Sequence, residues 1–317
     1  MRFEALSAGE LDDGLAARWR VLQAASAAAG GPPLDSPYLS PGFVAAVAAV
    51  RPQVQVAVAH ENGLVVGLLP FQRDAAGDGE PVGGGCCDLQ ALIAAPGVEL
   101  DPRALVRAAG LPRWRFSHLA AEQAPFLPFH EERHELVAVD LGRGFETWAA
   151  GRRRAGSQLV KDLGRRRRNL ERASGSIRFE ADTADPTVLA RLLAWKSDQY
   201  RRSGYPDWTG QPWLRALFDR ALASGDPHFR ATLSALWAGE RLAAAQLALR
   251  SGAVWHWWYP AYDPELAPWS PGLLLDLEML RAAPALGVAR VDLGRASAHK
   301  ARLADLSRPA ARGEVPA

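Results

Sequence analysis

The sequence predicts an α/β protein of two tandem units, each a mixed, mostly antiparallel sheet flanked by helices, the first unit degenerate. Three observations carry this. The second half alternates segments of period 2 with segments of period 3.6, in the order β-α-α-β-β-β-α-β-α. One hairpin pattern occurs twice, around "ENG" (61–63) and "AGE" (238–240), each a strand, a short polar turn and a small-residue-rich strand ending in arginine (Arg73, Arg250). With 317 residues, 48% hydrophobic and 23% charged, the chain has room for two ordinary domains with real cores.

The elements follow in order. Residues 10–29 carry a helical pattern closed by Pro32-Pro33, and "SPGFVAAVAAVR" (40–51) starts a helix with Pro41 at N1, the position proline favours. "VQVAVAH", "ENG" and "LVVGLLPFQR" (54–73) form a hairpin, and the glycine-rich residues 75–87 a loop. "RWRFSHL" (113–119) and "HELVAVDL" (134–141) are strand candidates. Beyond them come a helix over 157–175 stopped by Gly175, a strand over 176–181, and helices over 186–204 and 212–225. In the last of these, Leu214, Leu217, Phe218, Ala221 and Leu222 recur on one face. Strands over 231–237, 241–250 and 253–262 precede a leucine helix (271–286) ending at Gly287, a strand over 289–294 and a helix over 296–306. The units are placed at 1–133 and 134–306, with 307–317 a disordered tail.

Composition excludes several classes. A net charge of +2 is too balanced for a surface that tracks nucleic acid throughout. The two cysteines, Cys86 and Cys87, are adjacent and close no useful loop, and no ligand set is spaced for a metal. "MRFEALSAGELDDG" has acidic residues where a signal peptide needs an apolar core, and "FVAAVAAV" is too short to span a bilayer. The expectation is a cytoplasmic protein with no membrane insertion.

The chemistry concentrates in "YDPELAPWSPGLLLDLEML" (262–280), directly after the most tryptophan-dense strand. Ser270 suits the N-cap, Pro271 N1 and Gly272 N2 of the leucine helix. The first amides of such a helix lack intrahelical acceptors and sit at the positive end of its dipole, so a diphosphate can bind there. Read alone, the tripeptide is equally a good helix start.

This setting resembles the GNAT acyltransferase superfamily, in the branch named after the cellulose-biosynthesis protein CelD and related to the Fem-type peptidyltransferases. The resemblance rests on "VAVDLGRGFETW" (137–148), "LVKDLGRRRRNLERASGSIRFE" (159–180) and the block from Arg241 to Leu303 with its Tyr-Asp, Ser-Pro-Gly-Leu-Leu and Gly-x5-Lys. It implies a splayed central strand followed by a helix whose amides, at Ser270, Gly272, Leu273 and Leu274, hold the diphosphate of acetyl-CoA or another acyl-CoA. The branch usually ends its final strand with glycine, an acid and Tyr-Lys, whereas this chain has "LGRASAHK", with His299 in the tyrosine position. Lys300 carries over as a cofactor-binding residue, and the tyrosine's role does not.

Transfer to an amine needs a proton acceptor. The candidates are His299, equally readable as a surface histidine; His256, either a cleft group or a core histidine; and Asp263, also a turn residue. Trp255, Trp257, Tyr259 and Tyr262 offer an acceptor or acyl-chain wall, or core packing. Arg165 and Arg168, with Lys161 and Arg172, line the helix face opposite Leu159, Leu163 and Leu170. That stripe is either a solvated face or a surface for an anionic partner. The expected function is an N-acyltransferase, N-acetyl in the first instance, acting on a small-molecule or glycan-linked amine such as an amino sugar or an envelope or exopolysaccharide precursor, with no metal. Two rivals stay open: a Fem-type transferase using aminoacyl-tRNA, and a catalytically decayed binding or scaffold protein in polysaccharide synthesis.

Overall fold

The computed structural model describes residues 1–29 and 33–317. Contacts divide the chain into two compact units, one of Met1–Leu136 with Ser307–Ala317, the other of Val137–Leu306.

Unit 1 begins with β1 (Arg2–Ser7) and α1 (Asp13–Ala28), whose N-cap Asp12 accepts the Leu15 amide at 2.7 Å. Of the stop expected at Pro32-Pro33, Pro32 lies outside the described residues. α2 (Pro41–Ala48) has Pro41 in its first turn and Ser40 capping the Phe43 amide at 3.0 Å. The expected hairpin is β2 (Val54–Glu61) and β3 (Leu64–Arg73), turned through Asn62 and Gly63, both with φ above zero. That backbone matches strand twist, which is why Asn-Gly makes tight hairpins. There follow β4 (Gly79–Glu80), β5 (Ile93–Ala94), α3 (Pro102–Ala108), β6 (Arg113–Ala120) and β7 (His130–Asp140), whose residues from 137 on belong to unit 2.

Unit 2 continues with α4 (Phe145–Arg154), α5 (Leu159–Ser174), β8 (Ile177–Glu180), α6 (Pro186–Ser203), α7 (Pro212–Leu222), β9 (Arg230–Ala238), β10 (Arg241–Ser251), β11 (Val254–Tyr262), α8 (Pro271–Ala282) and β12 (Arg290–Arg295). The last strand, β13 (Leu306–Pro316), lies antiparallel to β6.

The repeat is larger than a hairpin. In unit 1 the strand order β1-β2-β3-β4-β6 has three antiparallel pairings and then a parallel one. In unit 2 the order β8-β9-β10-β11-β12 has the same directions. A helix pair follows the first strand of each, and one helix precedes each parallel strand. The first copy is reduced where it matters, since β4 has 2 residues against 9 in β11.

In unit 2 the core joins the leucines of α5 and α8 to Ala244 and Ala248 of β10 and to Trp255 and Trp257 of β11. β11 carries a bulge, because Tyr259 faces Leu247 while Trp257 faces the next residue, Ala248. The extra residue, Trp258, turns the strand, so Trp258 and Tyr259 both meet Phe218 of α7, at 5.1 and 4.9 Å between ring centres.

Two expectations are corrected. The helix expected over 296–306 is a short 3-10 turn, Lys300–Arg302. Of its two leucines only Leu303 is buried while Leu306 is exposed, so the segment has no apolar face to pack as a longer helix, and it closes in a local turn in which the Ser297 carbonyl takes the Ala301 amide at 2.9 Å. The tail expected to be disordered is β13, with Ala310, Ala311 and Val315 fully buried. Side chains this small give a weak apolar signal in the sequence. Gly313 is required there, since a Cβ would overlap the Phe129 carbonyl.

Val315→Asp places an unpaired charge in this core. It is expected to lower unfolding free energy by about 3 kcal/mol or more, read by urea titration of unit 1 fluorescence.

Candidate functional site

The parallel pairing of β11 with β12 covers only Val254–His256 opposite Arg290–Asp292, and then the strands part. Against the later residues of β11 lies a cleft of about 460 Å³. Its walls include Gln246, Pro260 and Tyr262 from the sheet, Gly272, Leu273 and Asp276 from α8, and Trp195 and Lys196 from α6. His299 and Arg302, from the segment after β12, close it.

Ser270 decides what α8 presents to this cleft. It stands at the N-cap position in the left-handed region, φ 54 and ψ 56, and its side chain does not cap the helix. Instead its hydroxyl accepts a hydrogen bond from Arg166 Nη1 at 2.8 Å, and the same nitrogen reaches the Pro268 carbonyl at 3.0 Å. Pro271 has no amide proton, and the Leu274 amide bonds the Ser270 carbonyl at 3.1 Å. The amides of Gly272 and Leu273 are left without an intrahelical acceptor at the positive end of the helix. A Cβ on Gly272 would come to 3.4 Å from the Tyr262 ring, so the helix mouth and that ring are in contact distance.

The cleft is cationic around one buried acid. Asp276 lies one turn beyond Gly272 on the same helix face and is buried. Burial raises its pKa above the usual carboxylate value, and His299, whose Nε2 is 3.7 Å from Asp276 Oδ2, pulls it back down. The Lys196 ammonium is brought down to about 8, first by burial and then by the charge of Lys300. Its Nζ donates to Gln199 Oε1 at 3.0 Å. Arg202 and Arg302 add two guanidiniums to the rim.

The structure gathers some of the residues that the sequence singles out and separates others. Gly272, Leu273, Ser270, Tyr262 and His299 line the cleft together. Leu274 does not, since its amide is used within α8 and its side chain is in the core. Lys300 turns back to the Arg295 carbonyl at 3.1 Å and lines no part of the cleft. His256 is buried in β11, in register with Asp292, away from the cleft lining. Asp263 has its carboxylate occupied: Oδ2 accepts from Arg241 Nε at 2.7 Å, and Oδ1 accepts the Glu265 amide at 3.0 Å. It holds the turn that follows β11.

Trp255 and Trp257 are core residues, Trp255 donating to Thr232 Oγ1 at 2.8 Å, and Tyr259 packs on Phe218. The wall expected from them is formed by Trp195 and Tyr262. Arg165 and Arg168 are exposed on α5. Their neighbours Arg166 and Arg167 make the contacts with the α8 region, Arg167 with Glu278 at 3.0 Å. Sequence reasoning passed over Arg166, Lys196, Asp276 and Arg302. Asp276 had a signal, a carboxylate within a leucine run, four residues after Gly272 and so on its helix face.

The cysteines lie in unit 1, both buried, and burial drives the Cys87 thiol up to about 12. No group of three or more metal-ligating side chains is found among the described residues, and no helix there is long and apolar enough to cross a membrane.

No curated protein sequence matches the chain. Among solved structures it is similar to a tandem GNAT protein from the clavulanic acid biosynthesis pathway, with a TM-score of 0.54, 16% identity and coverage of 99% of this chain and 98% of that one. FemX gives a TM-score of 0.59 at 10% identity, covering 99% and 96%. A GCN5-related N-acetyltransferase from Sphaerobacter thermophilus gives 0.54 at 10% identity, covering 99% and 95%. Residues 157–301, the stretch that holds the cleft lining except Arg302, match the family model of the acetyltransferase (GNAT) domain, and the fold of the chain is that of two tandem GNAT-like units.

Proposed function

We propose that unit 2 is an N-acyltransferase, an N-acetyltransferase in the first instance, that moves an acyl group from acyl-CoA to an amine. The observation that carries this is the pair of open amides at Gly272 and Leu273, facing a cleft rimmed by Lys196, Arg202 and Arg302. Two aligned N–H groups, a helix dipole and three cationic side chains fit a diphosphate and leave no charge of their own to be displaced. Bound acyl-CoA supplies an acyl carbonyl activated as a thioester.

The chain's own residues then have separate tasks. Gly272 lets the phosphates approach the backbone, and Arg166 keeps the Ser270 hydroxyl away from those amides. His299 takes the proton released by the attacking amine, and Asp276 orients its ring from below. The acceptor is read as an amino sugar or a precursor of an envelope or exopolysaccharide, in a cytoplasmic setting. The acceptor class rests on the CelD-type resemblance of residues 137–303, in which the Tyr-Lys ending is replaced by His299 and Lys300.

One observation favours a second donor. Arg165, Arg168 and Arg172 are exposed along α5, and a Fem-type reading would place aminoacyl-tRNA there. Acetyl-CoA binding that survives charge reversal of all three, in a chain that remains folded, is the outcome expected for the acyl-CoA donor.

Gly272→Asp brings a carboxylate to the phosphate position. Calorimetry is expected to give at least a tenfold loss of acetyl-CoA affinity, about 1.4 kcal/mol, with the melting curve unchanged. Equal affinity in the folded variant would remove α8 from donor binding. His299→Ala is expected to lower kcat by about 100-fold or more while acetyl-CoA affinity holds, and unaltered turnover would exclude His299 as proton acceptor.

The raised pKa of Asp276 means that the folded chain holds this proton more tightly than the unfolded chain. Its ionisation therefore costs stability, a cost absent below the unfolded carboxylate pKa and growing as pH rises above it. Asp276→Asn is expected to melt at a higher temperature than wild type at pH 8, with the gap closing toward pH 3. A gap that stays constant with pH would contradict this.

A further inference from the structure

Unit 2 has a second, larger concavity, about 880 Å³, that shares Trp195 and Pro264 with the proposed donor cleft. The two therefore meet along α6 and the turn after β11. Its charge has the opposite sign. Asp198, Glu240, Asp263 and Glu265 share the lining with Arg191 and Arg241; Arg241 is committed to Asp263 and Glu265 at 2.6 Å each, and Asp198 pairs with Arg201 of its own helix, which leaves Glu240 as the uncompensated carboxylate. The Glu240 carboxylate has no ion-pair partner among the described residues and is exposed at the turn between β9 and β10. An anionic ligand such as a nucleotide is disfavoured on this lining, and a cation is attracted.

Two half-buried indoles shape the walls. Trp195 comes from α6, and Trp237 from β9 is held by the Arg178 guanidinium 5.0 Å from its ring centre. Flat aromatic faces beside carboxylates bind a ligand that is apolar on one face, rich in hydroxyls at its edge and positively charged. The volume lies near the top of the range for drug-sized ligands, about 300–1,000 Å³, and is far more than one sugar ring fills.

We propose that this groove binds the acceptor, and that the acceptor is an oligosaccharide bearing free amino groups, its ammonium held by Glu240 and its rings laid on Trp195 and Trp237. This rests on the acyltransferase reading for the role of acceptor, though not for the binding itself. The shared Trp195 places the bound chain beside the donor cleft, from which one deprotonated amine reaches the thioester. In that step the new C–N bond forms, the C–S bond breaks with the sulfur leaving as thiolate, the amine proton passes to His299, and His299 then hands it to the thiolate, which leaves as the free thiol.

The test is calorimetry of the full chain with acetyl-CoA, glucosamine and the β-linked glucosamine tetrasaccharide, on wild type, Glu240→Gln and Glu240→Lys. The expected result is tetrasaccharide binding at least tenfold tighter than glucosamine, weakened severalfold by Glu240→Gln and tenfold or more by Glu240→Lys, with acetyl-CoA affinity unchanged throughout. Equal affinity of monomer and tetrasaccharide, or tetrasaccharide affinity indifferent to Glu240→Lys, overturns the groove and leaves the donor reading intact. Tetrasaccharide binding that depends on Glu240, in a chain that does not bind acetyl-CoA, sustains the groove and removes the donor reading.

Discussion

The hydrogen bond from Arg166 to the Ser270 hydroxyl, 2.8 Å long, governs what unit 2 can do. A serine before a helix ordinarily turns its oxygen onto the first-turn amides. Here the guanidinium holds that oxygen elsewhere, and the residue takes a left-handed backbone that a non-glycine side chain adopts only under constraint. The cost is met by packing around it. Pro271 is buried beneath, and Arg167 ties α5 to α8 through Glu278, about two helical turns further on. The open amides are thus a consequence of α5 lying where it does, and the arginine run on that helix is structural before it is a charged surface.

The duplicated topology sharpens this. Unit 1 repeats the strand order and directions of unit 2, yet at the matching helix Asp101 caps the Arg103 amide with a carboxylate at 2.9 Å. A negative side chain now occupies the place an anion would take. The strand that takes the place of β11 in this sheet, β4, is too short to diverge from a parallel neighbour and open a cleft, since it meets β6 at one residue pair, Gly79 with Trp114. One copy therefore keeps an unoccupied helix mouth beside a parted strand, and the other has sealed both.

Much of this frame was legible in the sequence, for identifiable reasons. Alternation with Asn-Gly or Gly-Glu turns gave both hairpins, and helical leucine spacing gave α5, α7 and α8, because pattern and burial agree there. Legibility failed where the decisive contact is between distant segments. Arg165 and Arg168 drew notice as the exposed stripe, while Arg166 and Arg167, at its margin, reach α8. The tryptophans of β11 looked like a binding wall because aromatic residues suit ligands and cores alike. The bulge at Trp258, which periodicity does not reveal, sorts them between two faces of the sheet. Lys196 looks ordinary in sequence, and burial, helped by the charge of Lys300, makes it unusual.

Strand β13 carries a consequence for the order of assembly. Its residues 307–316 belong to unit 1, yet the ribosome makes them after all of unit 2. Domains tend to fold as soon as their chain has emerged. Unit 2 has every one of its residues once Leu306 is free of the exit tunnel, whereas unit 1 waits with the β6 edge unpaired until the final strand arrives. The half of the protein translated first is completed last, and during that interval its exposed edge is the segment most open to capture by chaperones or by neighbouring nascent chains.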